Sequence, residues 1–157
     1  MSRYSALVWP LTPRAIATHR PTPDQWAAEV ALGWYSDGSS YSTDTIEGVR
    51  IGITGKAYRP DLPANLHDFR YRVIRRLVAA RLIDDARRLA MRAAADWDHW
   101  QGLRDATKHL EGVAGLRARA RCAVRYYAIR WTGAKYTRPQ SFEVYPHVDR
   151  DELVAEA

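Results

Sequence analysis

The sequence predicts an α+β fold, in which short N-terminal antiparallel strands and turns pack on a three-helix core containing an antiparallel helix hairpin. Three observations predict it. Up to Pro63 the apolar residues come in short runs interrupted by proline, glycine and Asp-Gly. After Pro63 they recur near helical spacing at Leu66, Ile74, Leu77 and Val78, and again beyond the polar Asp84-Asp85 at Leu89, Ala93, Trp100 and Leu103. A third helical stretch, residues 116–131, places Ala120, Ala123 and Tyr127 on one face and arginines elsewhere.

Taken in order, residues 5–9 are an apolar run stopped by Pro10, and Pro21-Thr22-Pro23 is a rigid connection. Residues 26–35 admit a helix capped by Asp24 or a strand; the alternation of Val30, Leu32 and Trp34 favours strand from Val30. Asp37-Gly38-Ser39-Ser40 has the composition of a turn. Residues 48–54 alternate Val49, Ile51 and Ile53 like a half-buried strand, and residues 58–63 run extended into the first long helix. Asn65 is a candidate N-cap there, with Asp68 three positions on. Gly133 ends the third helix, and Phe142, Val144 and Tyr145 read as a late strand or an extended strap. The expected organisation is a single α+β domain over 1–136, divided into a strand and turn region (1–62) and a helical region (63–133), then an acidic strap or tail over 137–157.

The hairpin geometry points to a site. If the chain reverses at residues 81–84, residues about 15 before the turn face those about 15 after it, at roughly 1.5 Å per residue. His67 then meets the Asp96-Trp97-Asp98 neighbourhood. On the first helix His67, Tyr71, Ile74 and Val78 share a face, and on the second Leu89, Ala93, Asp96, Trp100 and Leu103 do. A His, a Tyr and an Asp thus enter an apolar seam, where leaving any of them unpaired costs about 1–3 kcal/mol. They are expected to hydrogen-bond one another. Helix capping by Asp68 and a purely structural polar network are the bland accounts of the same residues.

Charge is unevenly spread. Residues 1–64 hold 6 basic and 6 acidic groups, residues 65–138 hold 17 and 7, and residues 139–157 hold 1 and 5, for nets of 0, +10 and −4. Arg117, Arg119, Arg121 and Arg125 on the third helix are candidates for binding a polyanion, either nucleic acid or an anionic membrane, unless the acidic tail covers them. No zinc-finger, RNP-like or helix-turn-helix spacing supports sequence-specific reading of nucleic acid. The single cysteine, Cys122, excludes an internal disulfide and a multi-cysteine zinc site. No stretch reads as a signal peptide or an integral membrane segment, so a cytosolic or particle-associated protein is expected.

The ordered stretches Gly33-Trp34-Tyr35-Ser36-Asp37-Gly38-Ser39-Ser40, His67-Asp68-Phe69-Arg70-Tyr71, Ala95-Asp96-Trp97-Asp98-His99-Trp100 and Tyr127-Ala128-Ile129-Arg130-Trp131-Thr132-Gly133 resemble a family of small, mostly uncharacterised phage and prophage proteins. That family follows its Asp-Gly-x-Ser turn with Ile-Pro, whereas this chain has Tyr41-Ser42. The His-Asp-x-x-Tyr helix opposite an Asp also resembles the core of secreted phospholipase A2. That resemblance implies His67 as the base, Asp96 and Tyr71 as its orienting pair, and Asp68 as a calcium ligand; the Asp37 turn is the nearby source of further oxygens. The bracing cysteines and full glycine-rich calcium loop of those enzymes are absent from the sequence.

Two readings remain open. The first is a phage- or prophage-encoded binding or structural protein, a virion component or host-directed factor, in which the polar seam holds helices in register against a protein partner. The second is a calcium-assisted, phospholipase-like hydrolase with His67 as general base. A metal-dependent nuclease using His67, Asp68 and Asp96 is a third, weaker alternative. Six tryptophans and nine tyrosines suit both membrane and protein interfaces.

Overall fold

The computed structural model describes residues 9–39 and 43–146. The apolar run at 5–9 is therefore seen only at Trp9, and the acidic end from residue 147 lies outside the described residues. The architecture is α+β with a helical core: helices predominate, and the strands are two-residue antiparallel pairs packed on them.

Threonine and proline start the first two helices. Thr12 accepts a hydrogen bond from the Ala15 amide at 3.1 Å, and Pro13 opens α1 (Pro13–Thr18). At α2 (Pro23–Ala31), Thr22 Oγ1 accepts from the Gln25 amide at 3.2 Å while Gln25 Oε1 accepts from the Thr22 amide at 3.0 Å. This reciprocal box satisfies two otherwise orphaned donors, and Pro23 loses nothing at the first helical position. The strand expected from Val30 is thus corrected to a helix ending near Ala31, and its cap is Thr22 rather than Asp24. The alternation of Val30, Leu32 and Trp34 straddles the helix end.

Four short strands follow. β1 (Ser36–Asp37) pairs with β4 (Thr54–Gly55), Ser36 opposite Gly55 and Asp37 opposite Thr54. β2 (Thr45–Ile46) pairs with β3 (Val49–Arg50), Thr45 opposite Arg50. The strand expected over 48–54 is split, because the Ile51 and Gly52 amides both turn to the Asp44 carbonyl, at 2.8 and 3.3 Å. Asn65 is not an N-cap. Its side-chain amide sits one turn inside the helix, accepts from Ile53 N at 2.8 Å and donates to Ile53 O at 2.9 Å, standing in for a neighbouring strand.

α3 (Pro63–Ala79) begins after Leu62 with Pro63 at its first position. The chain reverses over residues 80–84, where Asp84 caps α4 (Asp85–Thr107) by accepting from the Arg87 amide at 2.7 Å. α5 (Gly112–Thr132) and a 3₁₀ turn (Gly133–Thr137) complete the helical part, and α4 packs against α1, α3 and α5. One core gathers Trp9, Ile16, Trp26, Trp34, Phe69, Ile74, Leu77 and Met91; a second holds Ile46, Ile51, Leu103, Ala118 and Cys122. Trp26 lies parallel to Phe69 at 5.3 Å and edge-on to Trp34 at 4.9 Å, donating its indole N–H to Lys56 O. On α4 the buried face is Arg88, Met91, Arg92, Ala95, Asp96, His99 and Leu103; Leu89, one position round the helix, is exposed.

Charged residues build much of this interior. Glu29 is buried and pairs with Arg72 Nε at 2.7 Å and Arg76 Nη1 at 2.5 Å. Glu143 bonds Arg75 at 2.6 and 2.7 Å, Arg72 at 3.1 Å and the Tyr145 hydroxyl at 2.5 Å. Burial pushes its carboxyl up, but Arg75, Tyr145 and Arg72 outweigh that and hold it below the ordinary glutamate value. Residues 139–146 are thereby a strap on α3 rather than a strand, with Phe142 and Val144 exposed. Glu29→Ala removes the buried carboxylate that Arg72 and Arg76 share, leaving Arg72 with the longer Glu143 contact, and should cost about 3–5 kcal/mol in urea unfolding. A loss below about 1 kcal/mol, the scale of exposed pairs, would show that this cluster does not secure α2 to α3.

Candidate functional site

The antiparallel register of α3 and α4 brings His67, Tyr71 and Asp96 together. His67 Nε2 lies 2.8 Å from Asp96 Oδ1, and the Tyr71 hydroxyl donates to the same oxygen at 2.6 Å. Asp96 is fully buried, and its other oxygen accepts from Arg130 Nη1 of α5 at 2.9 Å, with Arg92 Nε 3.6 Å away. Burial raises the Asp96 pKa, yet the bond and charge of His67, with those of Tyr71 and Arg130, hold the carboxyl below its usual value. An ionised carboxylate only accepts, so His67 carries a proton on Nε2. Burial first, and then Asp96, pushes the Tyr71 phenol well above its ordinary value, so it stays a donor.

α5 is locked to this carboxylate from its C-terminal end. Arg92 Nη2 donates to the Ile129 and Arg130 carbonyls at 2.6 and 2.7 Å, adding to the Gly133 amide that Ile129 O already accepts and capping the last turn of the helix. Gly133 ends α5 as expected, as its C-cap, with a right-handed φ of −76°. Its role is close approach: a Cβ there would lie 2.9 Å from the Tyr71 hydroxyl oxygen and 3.2 Å from Arg92 Nη2.

His67 lines a cavity of about 230 Å³ whose walls come from the 33–39 loop, α3, the end of α5 and the strap. Its ring packs against Tyr71 at 4.2 Å and His99 at 4.5 Å. With Nε2 taken by Asp96, Nδ1 is the ring nitrogen without a hydrogen-bond partner among the described residues. Asp68 and Asp37 line the same cavity, near enough for each to bear on the other's charge. Ser36 Oγ donates to Asp68 Oδ2 at 2.6 Å, and is itself positioned by the Gly38 amide at 3.2 Å. Gly38 has φ +69°, and a Cβ there would fall 2.5 Å from Asp44 Oδ1, so the turn that presents Asp37 requires glycine. Burial, then the charge of Asp37, pushes the Asp68 carboxyl well above its ordinary value. Neighbouring carboxyls favour a proton or a cation between them. Among the described residues no three His, Cys, Asp or Glu side chains group as a metal cluster.

The four arginines expected to bind polyanion divide. Arg117, Arg119 and Arg121 are exposed, Arg121 lying 3.3 Å from Glu47. Arg125 is half-buried and turns to the 39–45 loop, bonding Ser39 Oγ and the Thr43 carbonyl, the latter at 2.8 Å. Sequence reasoning missed Arg92, His99, Arg130 and Ser36. Arg92 stands one helical turn before Asp96 and His99 three residues after it, a spacing that marks a shared face; Arg130 falls inside the Tyr127–Gly133 stretch already singled out. Comparison with models of known families, with characterised proteins and with solved structures finds no match.

His99 gives the site a pH signature. Its Nδ1 donates to the Pro63 carbonyl at 3.0 Å, and burial first, with the charge of His67, pushes its pKa from 6.5 down to about 3. The unfolded chain then binds the extra proton, so the contribution of His99 is full above its unfolded pKa of 6.5 and is lost as pH falls towards 3. His19, pushed down to about 4 by burial and by Arg70, has the same sign. Replacing His99 by Asn isolates its share: the stability gap between protein and variant should shrink as pH falls below 6.5. A gap constant with pH in denaturant titrations would contradict the buried, neutral assignment.

Proposed function

We propose that this chain is a phage- or prophage-encoded hydrolase that cleaves acyl esters of phospholipid, with His67 as the base that activates water. The carrying observation is that Asp96 holds His67 by Nε2, leaving Nδ1 as the nitrogen of a cavity-lining imidazole. A water at Nδ1 would give up its proton to that nitrogen as its oxygen forms the new bond to the ester carbonyl carbon. When the tetrahedral intermediate collapses, the carbon–oxygen bond to the alcohol breaks and the imidazolium returns the proton to the leaving oxygen. Asp96, kept ionised by its donors, compensates the transient imidazolium charge, and Tyr71 fixes the carboxylate rather than the substrate.

Asp37 and Asp68, neighbouring carboxyls on the cavity wall, suit a divalent cation, and they are the residues that would hold calcium. They supply at most four of the roughly six to eight oxygens calcium takes, the remainder coming from backbone, water or substrate. Calcium, when bound, supplies positive charge against a developing oxyanion. The ordered resemblance to phage and prophage proteins supports the proposed origin, and with it a proposed action in the host cytoplasm or in the particle.

The second reading, a non-catalytic virion component or host-directed binding protein, draws support from the same carboxylate. Asp96 joins α3, α4 and α5 through His67, Tyr71, Arg92 and Arg130, which a scaffold alone would explain. The two readings separate on His67→Ala. A hydrolase should release fatty acid from a dispersed short-chain anionic phospholipid with calcium stimulation, and the variant should lose that release at least about 100-fold while keeping most of its stability. No release by the intact protein, together with a melting temperature lowered several degrees, as a loss of about 1–3 kcal/mol would give, assigns the seam to scaffolding.

A further inference from the structure

α5 has two opposed faces, and only one of them meets the protein. Gly115, Ala118 and Cys122 are buried and Ile129 packs on the core. On the opposite side Val113, Leu116, Val124, Tyr127 and Trp131 are exposed by 66, 62, 68, 57 and 84 %. With the exposed Ala120 between them, these positions step by three or four residues over the whole helix, a repeat of about 3.6, and so form one straight stripe about 30 Å long. An outward apolar stripe of this length is a marked departure for a surface helix, and a patch of this kind ordinarily has an occupant.

Charge selects the occupant. α5 contains five arginines and no acidic residue. By helical position Arg117 and Arg121 flank the stripe on one side and Arg119 on the other. A second copy of α5 docked stripe to stripe would bring arginine rows together, which like-charge repulsion opposes. An uncharged partner helix would leave them uncompensated. An anionic surface satisfies both the stripe and its flanks.

The aromatic residues favour lipid over an acidic protein. Trp97 is half exposed and stacks with Trp100 at 4.8 Å, Tyr126 lies 5.6 Å from Trp100, and Arg104 sits over the Trp100 ring at 4.8 Å. This aromatic group adjoins the Tyr127–Trp131 end of the stripe through Tyr126 and Tyr127. A line of aliphatic residues, aromatics at one end and arginines along both edges, is the composition of a helix lying in a headgroup layer. The same helix end supplies Ile129, Thr132 and Gly133 to the cavity wall, so docking by this stripe would hold the cavity beside the membrane.

We infer that the outer face of α5 is a docking surface for anionic phospholipid membrane, with Val113, Leu116, Val124, Tyr127 and Trp131 entering the interface and Arg117, Arg119 and Arg121 meeting the headgroups. This extends the hydrolase reading but stands apart from it, since docking is measured without turnover. The full chain should cosediment with phosphatidylglycerol-containing vesicles at low salt and far less with phosphatidylcholine alone. Binding should weaken as salt shortens the Debye length from about 10 Å at 0.1 M to about 3 Å at 1 M. Val124→Glu with Trp131→Glu should weaken binding at least about tenfold, or 1.4 kcal/mol, with unchanged helical circular dichroism, as both side chains are exposed. His67→Ala should bind like the parent, so failure to hydrolyse and failure to dock are distinguishable. No binding to anionic vesicles, or binding that the Val124/Trp131 pair does not alter, overturns the inference. So does a dimer in solution that the same pair dissolves, or vesicle binding that appears only after removal of residues 147–157, which would give the face to the acidic tail.

Discussion

One buried carboxylate organises this protein. Asp96 has no solvent exposure, and an isolated charge so placed costs several kcal/mol. Its two oxygens are surrounded by donors from three helices: His67 and Tyr71 of α3, Arg92 one turn earlier on α4, and Arg130 of α5. The helices can therefore pack only in the arrangement that completes this shell. Gly133 shows how tight that arrangement is, because even a methyl group would press on the Tyr71 hydroxyl. The same constraint underlies the proposed chemistry: a carboxylate that must accept from Nε2 fixes the imidazole tautomer and leaves Nδ1 as the other nitrogen of a ring that lines the cavity.

Arginine plays two separate roles, which composition alone merges. Arg70, Arg72, Arg75, Arg76, Arg88 and Arg92 are buried and bind the interior together. Arg72 and Arg75 hold the strap, and Arg88 donates to Ala134 O and Thr137 Oγ1 at 2.9 and 2.6 Å, securing the 3₁₀ turn. Six of the seventeen basic residues of 65–138 are therefore internal wiring. Among those that remain outside, Arg117, Arg119 and Arg121 of α5 border an apolar stripe instead of covering a polar face.

The helical hairpin was legible because it rests on local periodicity and on arithmetic: equal distances from the 80–84 turn put His67 opposite Asp96 whatever else the chain does. The seam was read less accurately on α4, where Leu89 was placed inward; a single position is about 100° of rotation, and the true face is occupied by Arg88 and Arg92, which hydropathy places outside. The Thr22-Pro23-x-Gln25 cap was present in the sequence and would have identified α2, but the alternation of Val30, Leu32 and Trp34 outweighed it. Asn65 and Arg130 could not be placed from local pattern, since one partners the Ile53 backbone and the other a carboxylate on a different helix. Such contacts depend on the tertiary arrangement and leave no periodic trace. Asp37 and Asp68 were both named, yet their nearness on one cavity wall depends on Gly38 and Ser36, which position the loop.

The claim on which the rest depends is that Asp96 fixes the His67 ring with Nε2 as its donor. Nitrogen-15 NMR of His67 with its imidazole neutral tests this directly. The structure predicts a protonated Nε2 coupled to the Asp96 carboxylate and an unprotonated Nδ1. A proton on Nδ1 with Nε2 bare, or rapid exchange between the two tautomers, would contradict it.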